Sequence, residues 1–213
     1  VEVQVRACDL AEPAQVTALL EALEREDVAI RLLVNNAGFA TSGAFVDQPW
    51  SREWQQLQVN VVALTQLCHG IGRRMARTGT GQILNVASVS GFMPGPWMSN
   101  YAAGKAYVLN FSEGLREELA PLGVQVSVLC PGTTRSPFFD KAQIDINKAA
   151  PPALVMQPAD VARVALAGLE RNAAVIVPRW TNRVLAFSPR LAPRWLLRKV
   201  VGGLYRKVAP GVE

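Results

Sequence analysis

Tyr101 and Lys105 stand four residues apart in Tyr101-Ala102-Ala103-Gly104-Lys105, a phenol and an ammonium that one helical face would bring together. A free tyrosine titrates near ~10 and needs help to exchange protons around neutral pH. A neighbouring positive charge favours the phenolate, and Lys105 is placed to supply it. Ser88 follows an apolar run at 82–87, where a strand end could present its hydroxyl to a substrate oxygen. Asn60 falls inside a long helical pattern, where an amide competes with backbone hydrogen bonding and calls for a partner, a backbone group or a water. Taken singly, each has an ordinary explanation. Tyr-x-x-x-Lys occurs by chance in many helices, Ser88 suits a turn, and Asn60 suits a buried structural amide. Their order and spacing carry the argument.

The elements that must position them alternate short β-branched runs with longer helical patterns, the signature of βαβ units and a parallel sheet. Strands are expected at 1–8, 30–34, 82–87, 124–129 and 174–177. Asp9-Leu10-Ala11-Glu12 resembles a helix start, and Pro13 suits a first helical turn. Val16, Leu19, Leu20 and Leu23 then recur at helical spacing. Further helices are expected from Ser51 to about 76, over 101–119 with Pro121 and Gly123 as the stop, and over 158–169. In an open α/β sheet the ligand lies beyond the carboxyl ends of the strands. Asp9, the turn from Asn35 to Gly38, Ser88 and Pro131-Gly132 should therefore gather along one edge.

Composition narrows the chemistry. The chain has 213 residues, 50% of them hydrophobic, enough for one large domain. No apolar run reaches the length of a membrane span. Cys8, Cys68 and Cys130 are odd in number and widely spaced, so they read as reduced core residues, with no disulfide framework or metal site. His69 is the sole histidine, which leaves little room for Ser-His-Asp catalysis or a histidine-based metal centre. Residues 1–170 carry a net charge of −3, whereas 171–213 carry +8. The basic character belongs to a tail.

With these residues in place, the chain resembles the short-chain dehydrogenase/reductase family. Asn35-Asn36-Ala37-Gly38 is similar to its NNAG turn, and Asn60, Ser88, Tyr101 and Lys105 match its catalytic tetrad in order and spacing. Pro131-Gly132 followed by Ser136 resembles the segment that lies against the nicotinamide, and Asp9 the acidic residue near the adenine. The likeness runs from residue 1 to about 177, in the branch of bacterial reductases with a basic C-terminal tail. It implies a Rossmann-like doubly wound parallel sheet and an NAD(P)-dependent oxidoreductase, with NADP slightly preferred. It also implies roles. Tyr101 is the general acid in carbonyl reduction and the general base in alcohol oxidation, and Lys105 lowers its pKa and holds the nicotinamide ribose. Ser88 polarises the substrate oxygen, and Asn60 holds a water in a proton relay. Asp9, Asn36, Ala37, Gly38, Tyr101, Lys105, Pro131, Gly132 and Ser136 would contact the cofactor.

The chain departs from the family at two places. The first glycine is Gly38, so no glycine-rich turn precedes it and the first βαβ unit is lacking. A fragment of a longer protein is the favoured explanation, a natural short form the other, and in either case an exposed strand edge, poor stability and weak dinucleotide affinity are expected. Gly104 stands where the family usually has serine, at a cost of roughly 0.5–1 kcal/mol relative to alanine in a helix.

Substrate contacts are expected from Phe39, the segment 91–94, Trp97 and the loop at 138–156, an apolar lining that suits a hydrophobic ketone, aldehyde or alcohol. The domain is expected over 1–187, followed by a basic amphipathic tail at 188–213. Leu191, Trp195, Leu196, Val200 and Leu204 alternate there with Arg190, Arg194, Arg198, Lys199 and Arg206. That tail could lie on an anionic membrane, cover the substrate entrance or form an oligomer interface; no nucleic-acid motif accompanies it. A cytoplasmic homo-oligomer paired through the helices near 51–76 and 101–120 is expected. The competing class is a non-catalytic dinucleotide-binding or scaffold protein that keeps the fold.

Overall fold

The computed structural model describes residues 2–206 and 209. Four parallel strands form its sheet: β1 (Leu32–Asn35), β2 (Gly81–Val86), β3 (Val124–Leu129) and β4 (Val175–Ile176), side by side in that order. The register pairs Val34 with Leu84, Leu84 with Ser127, and Leu129 with Ile176.

Helices cover both faces. These are α1 (Pro13–Arg25), α2 (Trp50–Leu57), α3 (Leu64–Thr78), α4 (Ser99–Leu119), the short α5 (Phe138–Lys141) and α6 (Ile146–Ala149), α7 (Pro158–Glu170), α8 (Trp180–Phe187) and α9 (Arg194–Arg206). Side chains alternate across a strand. Val124, Val126 and Val128 of β3 and Ile83 of β2 accordingly meet Leu64, Cys68, Ile71 and Met75 of α3 and Val108 and Leu109 of α4. Leu84, Leu129 and Ile176 point the other way, onto Val161, Ala165 and Leu169 of α7. This is the Rossmann-like doubly wound arrangement, with a helical C-terminal region.

Strand β3 lies where the sequence pattern puts it, and β1, β2 and β4 lie within two residues of theirs. Residues 2–8 do not: they form no strand, and Val3 and Val5 are exposed. Alternation alone does not make a strand, because the backbone groups need a ladder partner. Among the described residues β1 pairs with β2 alone, which leaves Leu32 and Val34 half-exposed on the open edge. The helix start also differs. The residue before α1 is Glu12, without a side-chain cap, and Asp9 Oδ1 instead accepts the Ala11 N–H at 2.9 Å in a local turn. The long helix from 50 to 78 is interrupted by a π-helical stretch, Gln58–Ala63, a feature that often marks functional sites.

Candidate active site

The carboxyl ends of β1 and β2 bring the sequence-predicted tetrad together. Asn60 lies in the π-helical stretch, and its amide clasps one backbone unit: Nδ2 donates to the Phe39 carbonyl at 2.8 Å and Oδ1 accepts the Phe39 N–H at 3.1 Å. The demand that an interior amide makes for a partner is thus met by the turn after β1. Gly38 sits against both Asn60 and Lys105. A Cβ at Gly38 would lie 3.0 Å from Asn60 Oδ1, tight enough to push on that amide, and 3.6 Å from Lys105 Nζ, an ordinary contact.

Lys105, on α4, crosses to the end of β2, where Nζ donates to the Val86 carbonyl at 2.7 Å. The same ammonium lies 5.8 Å from the centre of the Tyr101 ring. Ser88, just past β2, begins the 3₁₀ turn Val89–Phe92 and accepts the Ser90 N–H at 3.1 Å through Oγ. All four tetrad side chains are buried.

Electrostatics sharpen the sequence reading and alter it in one respect. Burial drives the Tyr101 phenol well above its ordinary range; a hydrogen bond from Ser88 opposes the rise, and the neighbouring Tyr205 adds to it. Burial likewise depresses Lys105 to about 8, opposed by nearby Cys130. The expected lowering of Tyr101 by Lys105 does not figure in this balance, which desolvation dominates. The phenol is therefore held in its protonated form, the form that donates.

The other expected contacts are distributed unevenly. Asn36, Ala37 and Gly38 form an exposed turn at the end of β1, open to a ligand. Pro131, Gly132 and Ser136 follow β3, but Gly132 lies under Asn182 of α8: a Cβ there would come within 2.5 Å of the Asn182 amide oxygen. Asp9 is exposed at the start of the α1 turn, its backbone N–H donated to Gln15 at 2.9 Å. Of the apolar lining, Phe138 meets Tyr101 with ring centres 5.5 Å apart, and Phe139, Ala142, Ile144 and Met98 belong to the same cluster. Phe92, in contrast, packs into the main core, and Phe39 lies beneath the Arg52 guanidinium at 4.9 Å. A cavity of about 520 Å³ lies away from the tetrad, between α4, α7, β4 and α8, and is lined by Leu109, Val175 and Phe187 with Arg171 and Arg183 at its rim. None of the tetrad lines it.

Sequence reasoning missed three contributors. Asn35 donates to Asn85 at 2.8 Å and Asn85 to Ser112 at 2.9 Å, a buried polar chain joining β1, β2 and α4 beneath the site. Buried Glu53 of α2 accepts from Thr41 at 2.5 Å and from Asn100 at 2.7 Å, anchoring the turn that carries Tyr101. Tyr205 of α9 packs in the Tyr101 cluster, and its hydroxyl lies 3.1 Å from Ser90 Oγ. Asn85 interrupts an apolar strand run, whereas Glu53 stands among other polar residues of its helix and nothing local sets it apart. Nothing local marked Tyr205.

Comparison with known proteins gives the context. The sequence profile described as short chain dehydrogenase matches residues 1–147. Nodulation protein G of Rhizobium meliloti (strain 1021) is 34% identical over 140 residues, covering 65% of this chain and 57% of that protein. The chain thus matches little more than half of that relative's length. Among solved structures, a short-chain dehydrogenase from Sphingobium yanoikuyae in complex with NADPH superposes with a TM-score of 0.76 at 36% identity, covering 96% of this chain and 75% of the other. A bulky-bulky ketone specific alcohol dehydrogenase from Comamonas testosteroni does so with 0.74 at 34% identity, covering 99% and 76%. With that profile spanning over half the residues, the chain belongs to the short-chain dehydrogenase family.

Proposed function

We propose that the protein is an NAD(P)-dependent oxidoreductase that interconverts an apolar carbonyl compound and its alcohol, with Tyr101 exchanging the proton. The observation that carries this reading is the convergence of Gly38, Asn60 and Lys105 at one strand end, with the Ser88 hydroxyl close enough to act on the Tyr101 phenol. When bound, the nicotinamide cofactor supplies the hydride, and the protein supplies orientation and proton management. Lys105 and the open turn at Asn36, Ala37 and Gly38 fit the ribose and nicotinamide end, because Gly38 leaves the space a side chain would fill. No glycine-rich pyrophosphate turn occurs in this sequence. NADP is the preferred form, in keeping with the NADPH-bound relative.

Tyr101, held protonated by burial, donates to the carbonyl oxygen in reduction. Ser88 accepts the Ser90 N–H, and in the reacting complex its own proton turns from the Tyr101 phenol to that same oxygen. The aromatic cluster of Phe138 and Phe139 over Tyr101 favours an apolar substrate, and the ketone-specific relative supports a bulky one. The cytoplasm is the proposed setting. Exposed Trp50, Trp54, Val62 and Tyr107 along α2 to α4 support pairing of two copies there. The alternation of exposed apolar and basic residues on α8 and α9 supports peripheral contact with an anionic membrane.

The test is NADPH-dependent reduction of a bulky apolar ketone by the wild type and by Tyr101→Phe, with NADPH binding titrated alongside. Turnover lost in the folded variant supports the enzyme, and turnover retained overturns the role of Tyr101. Cofactor binding without turnover by the wild type would favour a non-catalytic dinucleotide-binding or scaffold protein.

A further inference from the structure

Ser88 has its lone pair engaged by the Ser90 N–H at 3.1 Å, and the Ser90 side chain is held in turn by Tyr205, 115 residues further along the chain. Tyr205 sits on the last helix, α9, whose Val201 is buried and whose Gly202 packs close to Pro96 in the loop after the 3₁₀ turn. The Tyr205 ring also lies near Gly95 and belongs to the cluster around Tyr101. The 3₁₀ turn at Val89–Phe92 is short, and such turns hold their geometry poorly without outside contacts.

We propose that Tyr205 is a positioning residue for the reaction, fixing through Ser90 the direction in which Ser88 presents its hydroxyl to the substrate oxygen. This rests on the oxidoreductase reading above. If the Ser90 side chain is released, the turn rotates, its N–H leaves Ser88 Oγ, and the serine proton is no longer aimed. The effect falls on orientation in the reacting complex and leaves the binding of the dinucleotide alone.

The experiment compares Tyr205→Phe, which keeps the ring and removes only the hydroxyl, with Ser90→Ala and the double variant. The expected result for each single variant is a kcat lower by roughly five- to tenfold, with KM for NADPH unchanged. The double variant should be no worse than either single one, because all three break the same connection. Hydrogen exchange at the Ser90 amide, followed in the protein without substrate or cofactor, should quicken in both single variants. Additive losses in the double variant, or an unchanged Ser90 exchange rate in Tyr205→Phe, would overturn the proposal. Should the wild type show no turnover, the oxidoreductase reading fails while Ser90 exchange still decides whether Tyr205 holds the turn.

Discussion

The backbone of Gly91 lies flat against Lys105: a Cβ built on Gly91 would come within 2.7 Å of the Lys105 carbonyl oxygen and 2.8 Å of its carbon. Backbone cannot yield as a flexible side chain can, so the 3₁₀ turn after Ser88 and the helix bearing Tyr101 and Lys105 must separate if any side chain enters. Gly91→Ala is therefore expected to destabilise the fold by about 1–3 kcal/mol, as overpacking does. It should also displace Ser88 from Tyr101 and cut turnover. Urea unfolding together with kcat checks both; a variant of wild-type stability would show that the contact relaxes without cost.

Glu53 makes a second such anchor from the other side. Its carboxyl oxygens accept from Thr41 and Asn100, and its backbone carbonyl accepts from Asn100 as well, at 3.1 Å. Asn100 immediately precedes Tyr101. Removing the carboxyl in Glu53→Ala leaves buried donors unmatched, at a cost of about 1–3 kcal/mol. Glu53→Gln keeps the shape but turns an amide N–H₂ toward one of those donors, so it should rescue only part of the loss. Thermal unfolding of the two variants decides this, and equal stability of all three proteins would remove Glu53 from the account.

What the sequence made legible is what local pattern encodes. Alternating and β-branched runs gave β3 its bounds, and the helical period of α4 put Tyr101 and Lys105 on one side of a helix facing the end of β2. The tetrad could be read because its members recur at fixed spacings on elements that each announce themselves. Residues 2–8 misled because alternation reports a face to bury and says nothing of a partner to pair with. Tyr205 and Glu53 were hidden for a related reason: their value lies in contacts with Ser90, Thr41 and Asn100, which only the folded chain brings near. The balance at Tyr101 was likewise illegible, because proximity of Lys105 is a matter of spacing while desolvation is a matter of tertiary burial.

On α8, Trp180, Val184 and Phe187 recur at helical spacing and are exposed, as are Leu196, Val200 and Leu204 on α9. Arg179, Arg183, Arg190, Arg194, Arg198 and Lys199 flank them, and no acidic residue occurs from 171 to 209. Two copies meeting through this surface would set like charges against each other, whereas an anionic bilayer matches both the charge and the apolar rows. Cosedimentation with phosphatidylglycerol vesicles should be strong at low salt and weak with phosphatidylcholine alone. The Leu196→Glu/Val200→Glu variant should lose it, and binding that survives in that variant would discard the membrane reading.

Lys105 gives stability an alkaline signature. Burial holds its ammonium down to about 8, whereas an unfolded lysine titrates near ~10.4. Below about 8 both states are protonated and the full cost of a buried charge is present. Between about 8 and ~10.4 the unfolded chain binds more protons than the folded one, so the contribution of Lys105 to stability rises with pH, by a few kcal/mol at most. Cys68 and Cys130, pushed up by burial to about 11 and about 12, act in the opposite sense, because unfolded thiols lose their protons first, from about 8.5 upward. Subtracting the unfolding free energy of Lys105→Met from that of the wild type, pH by pH, removes the cysteine contribution common to both. The difference should be flat up to about pH 8 and then climb in favour of the wild type. A difference that stays level to pH 10 would mean that Lys105 keeps its charge in the folded protein, with the Val86 carbonyl offsetting its burial.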